Sequence, residues 1–240
     1  MIPEAQKQQM AEAVARIRET MAEAARRAGR DPAEVKLCAA CKTRTVEEVR
    51  YSADLPIDLF GENHVQELVE KTDAGAYNGK PGHFIGHLQT NKVNKVVGRA
   101  ALIQSVDSVR LLDKIEAAAA RLGLTQEILL EINIGAEESK SGVGPEDLWP
   151  LLDEVAARQH LKVRGLMAIP PADADDDQTR RFFAQMRELL AAAAGRGYKN
   201  AQMDILSMGM SHDYAMAIAE GATIVRVGTA IYGARDYSKK

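Results

Sequence analysis

Short apolar runs recur along the chain, each followed by a polar loop, a helical stretch and often a glycine. The runs are Val35–Ala40, Ile57–Phe60, His83–Ile85, Ala101–Ser105, Glu127–Asn133, Val163–Ile169, Met203–Met208 and Thr223–Gly228. Several are continuously apolar, as in ILLEINI and TIVRVG, which suits parallel strands covered on both faces. Alternation of strand and helix implies a parallel sheet. Eight such units in 240 residues predict a single (β/α)₈ TIM-type barrel, preceded by one additional N-terminal helix over Glu4–Ala28. An open doubly wound sheet is the alternative.

Local signals place the helices. Thr45 and Glu48 have capping-box spacing. Pro145 and Glu146 follow Gly144 as a helix start. Asp175, Asp176 and Asp177 place negative charge at a helix N-terminus. Gly29, Gly123, Gly195 and Gly221 each follow a helical stretch, where a left-handed cap favours glycine. No linker and no shift in composition interrupts the pattern, so residues 1–240 are expected to form one domain.

Charge excludes some functions. Lys plus Arg number 31 and Asp plus Glu 34, an even spread that argues against bulk-charge binding to nucleic acid or membrane surfaces. The polar N-terminus lacks a signal-peptide core, and no apolar run reaches the ~18 residues of a membrane span. A cytoplasmic protein is expected.

Some motifs carry little chemistry. Cys38 and Cys41 match C-x-x-C, but at a strand end the two point to opposite faces, which favours packing over dithiol redox or zinc. His83 and His87 flank FIG without the Glu of a zinc helix. GAYNGK is one residue short of a P-loop, and no G-x-G-x-x-G follows a strand.

Lys42 and the C-terminal blocks say more. Lys42 closes the run LCAAC at the C-terminal edge of the first strand, the edge where barrels build active sites. A partly desolvated lysine there can form a Schiff base; a snorkelling lysine is the plain alternative. Leu206–Ser211 and Arg226–Thr229 end the seventh and eighth strands, whose loops commonly bind phosphate in barrels. Glycines and hydroxyls at helix starts suit that role, as they suit ordinary turns. A lysine beside a phosphate site points to a phosphorylated carbonyl ligand: pyridoxal 5′-phosphate, or a sugar phosphate held as in a Schiff-base aldolase.

At these residues the chain resembles the pyridoxal 5′-phosphate homeostasis protein family, single-domain relatives of the alanine racemase barrel. The resemblance runs from about residue 5 to Arg235. It rests on Cys41–Thr43, Phe60–Glu67, His83–Lys92, Glu138–Gly142, Gly165–Met167, Leu206–Ser211 and Arg226–Gly233. It implies Lys42 as the internal-aldimine lysine, with Ser207, Gly228 and Thr229 binding the phosphate. It places Arg226 against the pyridine nitrogen and Asn63 along the cofactor. Met167, Met208 and Gly209 fall in the same blocks and are expected to line it. Lys140 matches a loop lysine that acts in the family as a second, transient acceptor. Where many members have lysine this chain has Arg44, which stays protonated and forms imines poorly, counting against a cofactor relay there. Gly82 stands where many relatives have tryptophan.

The resemblance implies a carrier that holds the cofactor and releases it to acceptors such as cofactor-dependent apoenzymes. A weak amino-acid racemase is the alternative; a cofactor-free lysine aldolase is the third reading. The related racemases take a second base, a tyrosine, from an extra β-domain, and this chain reaches Lys240 soon after the eighth strand. A monomer without robust turnover is therefore expected.

Overall fold

The computed structural model describes residues 2–137 and 140–233; Glu138, Ser139 and Arg235 lie outside that range. Eight parallel strands close into a barrel in sequence order. They are β1 (Lys36–Ala40), β2 (Leu59–Glu62), β3 (Gly82–Phe84), β4 (Leu102–Val106), β5 (Gln126–Ile132), β6 (Leu161–Ala168), β7 (Ala201–Ser207) and β8 (Ile224–Val227). Closure is made by β1, whose Cys38 stands opposite Leu59 of β2 on one side and Arg226 of β8 on the other. The barrel and its leading helix agree with the sequence reading, and the open sheet is excluded.

The helices are α1 (Glu4–Arg27), α2 (Val46–Ser52), α3 (Val65–Asp73), α4 (Val93–Val96), α5 (Val109–Leu122), α6 (Leu148–Ala156), α7 (Asp176–Gly195), α8 (Tyr214–Ala219) and α9 (Thr229–Tyr232). Their starts and stops follow from local chemistry. Thr45 caps α2 and Asp175 caps α7, each in a reciprocal box with the residue three further on. Gly123 ends α5 in the left-handed conformation at φ 66°. No described helix is long and apolar enough to cross a membrane.

Two expected boundaries move. α6 begins at Leu148 and not at Pro145 or Glu146. Pro150 explains the delay: it lacks an N–H and is tolerated only in the first turn, which a start at Pro145 would place too early. Gly195 stays inside α7, and Gly197, at φ 65°, takes the left-handed position instead.

The apolar residues separate into two layers. Cys38, Leu59, Leu102, Leu129, Met167 and Ile224 meet inside the barrel. Leu37, Ala39, Cys41 and their counterparts face outward and pack under the helices. The two cysteines thus fall in different layers, both buried. Burial pushes the Cys38 thiol up to about 12 and the Cys41 thiol upward as well, so neither is a ready thiolate. β6 shifts register against β7 between Val163 and Gly165, where Gly165 adopts φ 152°. A Cβ there would lie 1.8 Å from the Ile205 carbonyl oxygen, so only glycine fits.

Candidate functional site

Lys42 is half-buried in the turn that follows β1, two residues past Ala40. Its neighbours on both sides are held by α3. The ammonium of Lys71 donates to the carbonyl of Cys41 at 2.8 Å. The amide of Thr43, in the left-handed region at φ 65°, donates to both carboxylate oxygens of Glu67 at 3.0 and 3.1 Å. Glu67 and Lys71 sit four apart on α3, one turn of one face.

Lys71 is 1% exposed and its charge is met by Glu62 at 2.7 Å, a carboxylate that is itself fully buried. The same oxygen of Glu62 accepts from the Cys41 thiol at 2.8 Å. Burial raises the Glu62 carboxyl to about 7 while Lys71 pulls it down. A buried ion pair therefore underlies the lysine turn. Glu62 and Glu67 lie within a block that carries the resemblance, but the sequence alone assigns no role to them or to Lys71. The i, i+4 spacing was the one available signal.

Arg226 occupies the barrel interior just beneath this end, 4% exposed. One guanidinium nitrogen donates to Ser207 Oγ at 2.6 Å and the other to the Ala168 carbonyl at 2.9 Å. Ser207 then donates to Gln104 Oε1 at 2.6 Å. Gln104 Nε2 donates in turn to His83 Nδ1 at 2.9 Å. Burial lowers the His83 ring to about 4, so it is neutral and carries its hydrogen on Nε2. The relay crosses the barrel with one direction, from arginine to serine to glutamine to histidine.

That relay engages one residue expected at the phosphate. Ser207 was expected beside Gly228 and Thr229, but its hydroxyl is taken up inside the barrel by Arg226 and Gln104. Ser211 stands at the mouth instead. With Lys42, Arg44, Gly228 and Thr229 it lines a cavity of about 230 Å³. Its Oγ accepts from the Ala230 amide at 3.4 Å. Gly228 is fitted to the end of β1: a Cβ on it would come within 2.9 Å of the Ala40 carbonyl oxygen. The Arg44 guanidinium donates to the Gly233 carbonyl at 2.9 Å and lies 5.5 Å from the Tyr232 ring centre.

The remaining expected residues divide. Met167 lies in the interior layer, whereas Met208 points outward and packs under the helices. Gly209, at φ 88°, breaks the strand alternation, and its carbonyl accepts from the Arg226 amide at 2.9 Å. Asn63 and Lys140 line a second cavity, of about 280 Å³, at the same end of the barrel. Lys140 donates to the Pro170 carbonyl at 3.0 Å and pairs with Glu137.

The arrangement is a primary amine at a strand end, a buried cation below it, and hydroxyls with a side-chain-free glycine at the lip. It suits a small phosphorylated carbonyl compound. Comparison with known proteins agrees. The alanine racemase N-terminal domain family matches residues 13–236. The pyridoxal phosphate homeostasis protein of Aquifex aeolicus is 42% identical over 226 residues, covering 94% of this chain and 98% of that one. PipY of Synechococcus elongatus, solved with PLP bound, is 32% identical with a TM-score of 0.80, covering 93% of this chain and 100% of that one. Alanine racemase from Streptomyces lavendulae shares the fold at 20% identity and a TM-score of 0.76, with 94% of this chain on 58% of that one. The chain belongs to the pyridoxal phosphate homeostasis protein family, built on the alanine racemase N-terminal barrel.

Proposed function

We propose that this protein binds pyridoxal 5′-phosphate at the C-terminal end of its barrel and yields it to acceptors, without robust turnover of its own. The observation that carries the reading is the meeting of Lys42, Arg226, Ser211, Gly228 and Thr229 around one cavity. End-to-end similarity to relatives named for pyridoxal phosphate homeostasis supports it.

When bound, the cofactor supplies an aldehyde that condenses reversibly with a primary amine. Lys42 is the amine presented to it, held in place by the bonds on Cys41 and Thr43. Gly228, Thr229 and Ser211 would hold the phosphate, with Ser211 taking the place first expected of Ser207. Arg226 would face the ring nitrogen as a hydrogen-bond donor. It uses two guanidinium nitrogens on Ser207 and Ala168, and five N–H groups leave donors to spare. A guanidinium does not give up its proton near neutral pH, so facing that nitrogen it would leave the nitrogen unprotonated and the ring a weak electron sink. Met167 and Asn63 would line the cofactor; Met208 would support it only through packing.

In this reading one barrel domain carries the whole site, and the protein works as a cytoplasmic monomer with apoenzymes among its recipients. A racemase is favoured by fold likeness alone, and barrels host many chemistries. The test is deuterium exchange at the α-carbon of alanine by the cofactor-loaded protein. Slow or absent exchange is expected. Exchange at ~1 s⁻¹ or faster, lost in Lys42→Ala, would make it an enzyme.

A further inference from the structure

The second cavity is short of hydrogen-bond donors. Two buried acceptors that line it, Glu131 Oε2 and Asn63 Oδ1, have no partner among the described residues. Two donors that line it are engaged elsewhere. Lys140 is held by Pro170 and Glu137, and the Ser141 hydroxyl lies 3.1 Å from His87 Nδ1. Buried acceptors left unpaired are costly, so the missing complement is a donor. Glu131 is only 8% exposed and carries a carboxyl, which calls for a donor that is also a cation. Burial and the charge of Asp107 push that carboxyl up to about 7, against the pull of Arg226. Ile85 and Ile169 give the same cavity apolar walls, against which an alkyl stem can lie.

We propose that this cavity is a subsite for an alkyl primary ammonium, the chemistry of a lysine side chain, seated on Glu131 and Asn63 between Ile85 and Ile169. A primary ammonium has three N–H donors in a compact head, enough for both acceptors. The proposal deepens the reading above and rests on it for its purpose: a recipient's lysine would be brought to the barrel end that carries Lys42. The recognised feature is the alkylammonium itself, so free amines of the same shape enter as well.

The experiment titrates n-butylammonium chloride into the ligand-free protein by calorimetry at pH 8 and constant ionic strength, with 1-butanol as the uncharged counterpart. Saturable binding of butylammonium is expected, weakened roughly tenfold or more in Glu131→Gln, with no saturable binding of butanol. No binding to the unaltered protein, or equal binding to Glu131→Gln, overturns the proposal. A second measurement needs no variant: the methyl resonances of Ile85 and Ile169 should shift along the butylammonium titration, and unmoved resonances overturn it too. Failure of the protein to take up pyridoxal phosphate would sink the cofactor reading and leave this titration standing. Normal cofactor uptake with a failed titration would sink the subsite alone.

Discussion

Lys71 Nζ lies 2.8 Å from the carbonyl oxygen of Cys41, so a buried ammonium fixes the peptide that immediately precedes Lys42. The same ammonium neutralises Glu62, which has no exposure to solvent. Support for the lysine turn and stability of the barrel wall thus depend on one ion pair.

Replacing Lys71 by Met strands the Glu62 carboxylate. Breaking a buried pair by removing one partner costs about 3–5 kcal/mol. Lys71→Met is expected to lose that much in urea unfolding at pH 8, and less at pH 5, where Glu62 can take up a proton. The double change Glu62→Leu, Lys71→Met should recover most of the loss. An undiminished loss in the double variant would show that the charge imbalance is not the cause.

The two serines near β7 and its loop should behave differently. Ser207→Ala leaves one guanidinium nitrogen of Arg226 and Gln104 Oε1 without their serine partner, at a cost of about 1–3 kcal/mol. Its affinity for pyridoxal phosphate and for pyridoxal should fall by a common factor, because Arg226 serves both. Ser211→Ala should weaken pyridoxal phosphate alone, by roughly tenfold, since the proposed contact of its hydroxyl is with the phosphate and with no other part of the cofactor. Equilibrium binding of both compounds to both variants decides the matter. The reverse pattern would return the phosphate to Ser207.

Acid should break the relay at His83. Its ring is held down to about 4 by burial, from an ordinary 6.5. A folded value below the unfolded one gives stability that is present above pH 6.5 and lost as pH falls through 4, about 3 kcal/mol in all. Protonated Nδ1 can no longer accept from Gln104. Glu62 and Glu131, both raised to about 7, act oppositely: their contribution is present below the ordinary carboxyl range and lost as pH rises through 7. Comparing the unaltered protein with His83→Gln cancels the carboxyl contributions. Urea unfolding between pH 7 and 4 should show the extra acid loss only in the unaltered protein. Equal acid losses would contradict it.

Much of this fold was legible from local pattern. β5 and β8 stand out as runs that are mostly apolar, as strands covered on both faces should be, and even the three residues of β3 lie within one residue of the expected His83–Ile85. Pro145 signals a helix start, but Pro150 fits only a first turn and sets the start of α6 at Leu148. Local pattern does not show that Ser207, the last strand residue, points inward while Gly209 turns the chain and Ser211 lines the cavity at the mouth. Periodicity speaks only of neighbours in sequence. It could not pair Ser207 with Gln104, which are 103 residues apart, or Lys71 with the Cys41 carbonyl, 30 apart.

The central claim is that Lys42 is the amine that holds pyridoxal phosphate. Its most direct test is to load the protein, reduce it with borohydride, and map the modified lysine by peptide mass. The account predicts a visible absorbance band that borohydride abolishes, the cofactor fixed on Lys42, and a Lys42→Ala protein that keeps its circular dichroism but gains no band. Fixation chiefly on Lys92, Lys95 or Lys140 in the unaltered protein, or a full band in Lys42→Ala, would contradict it.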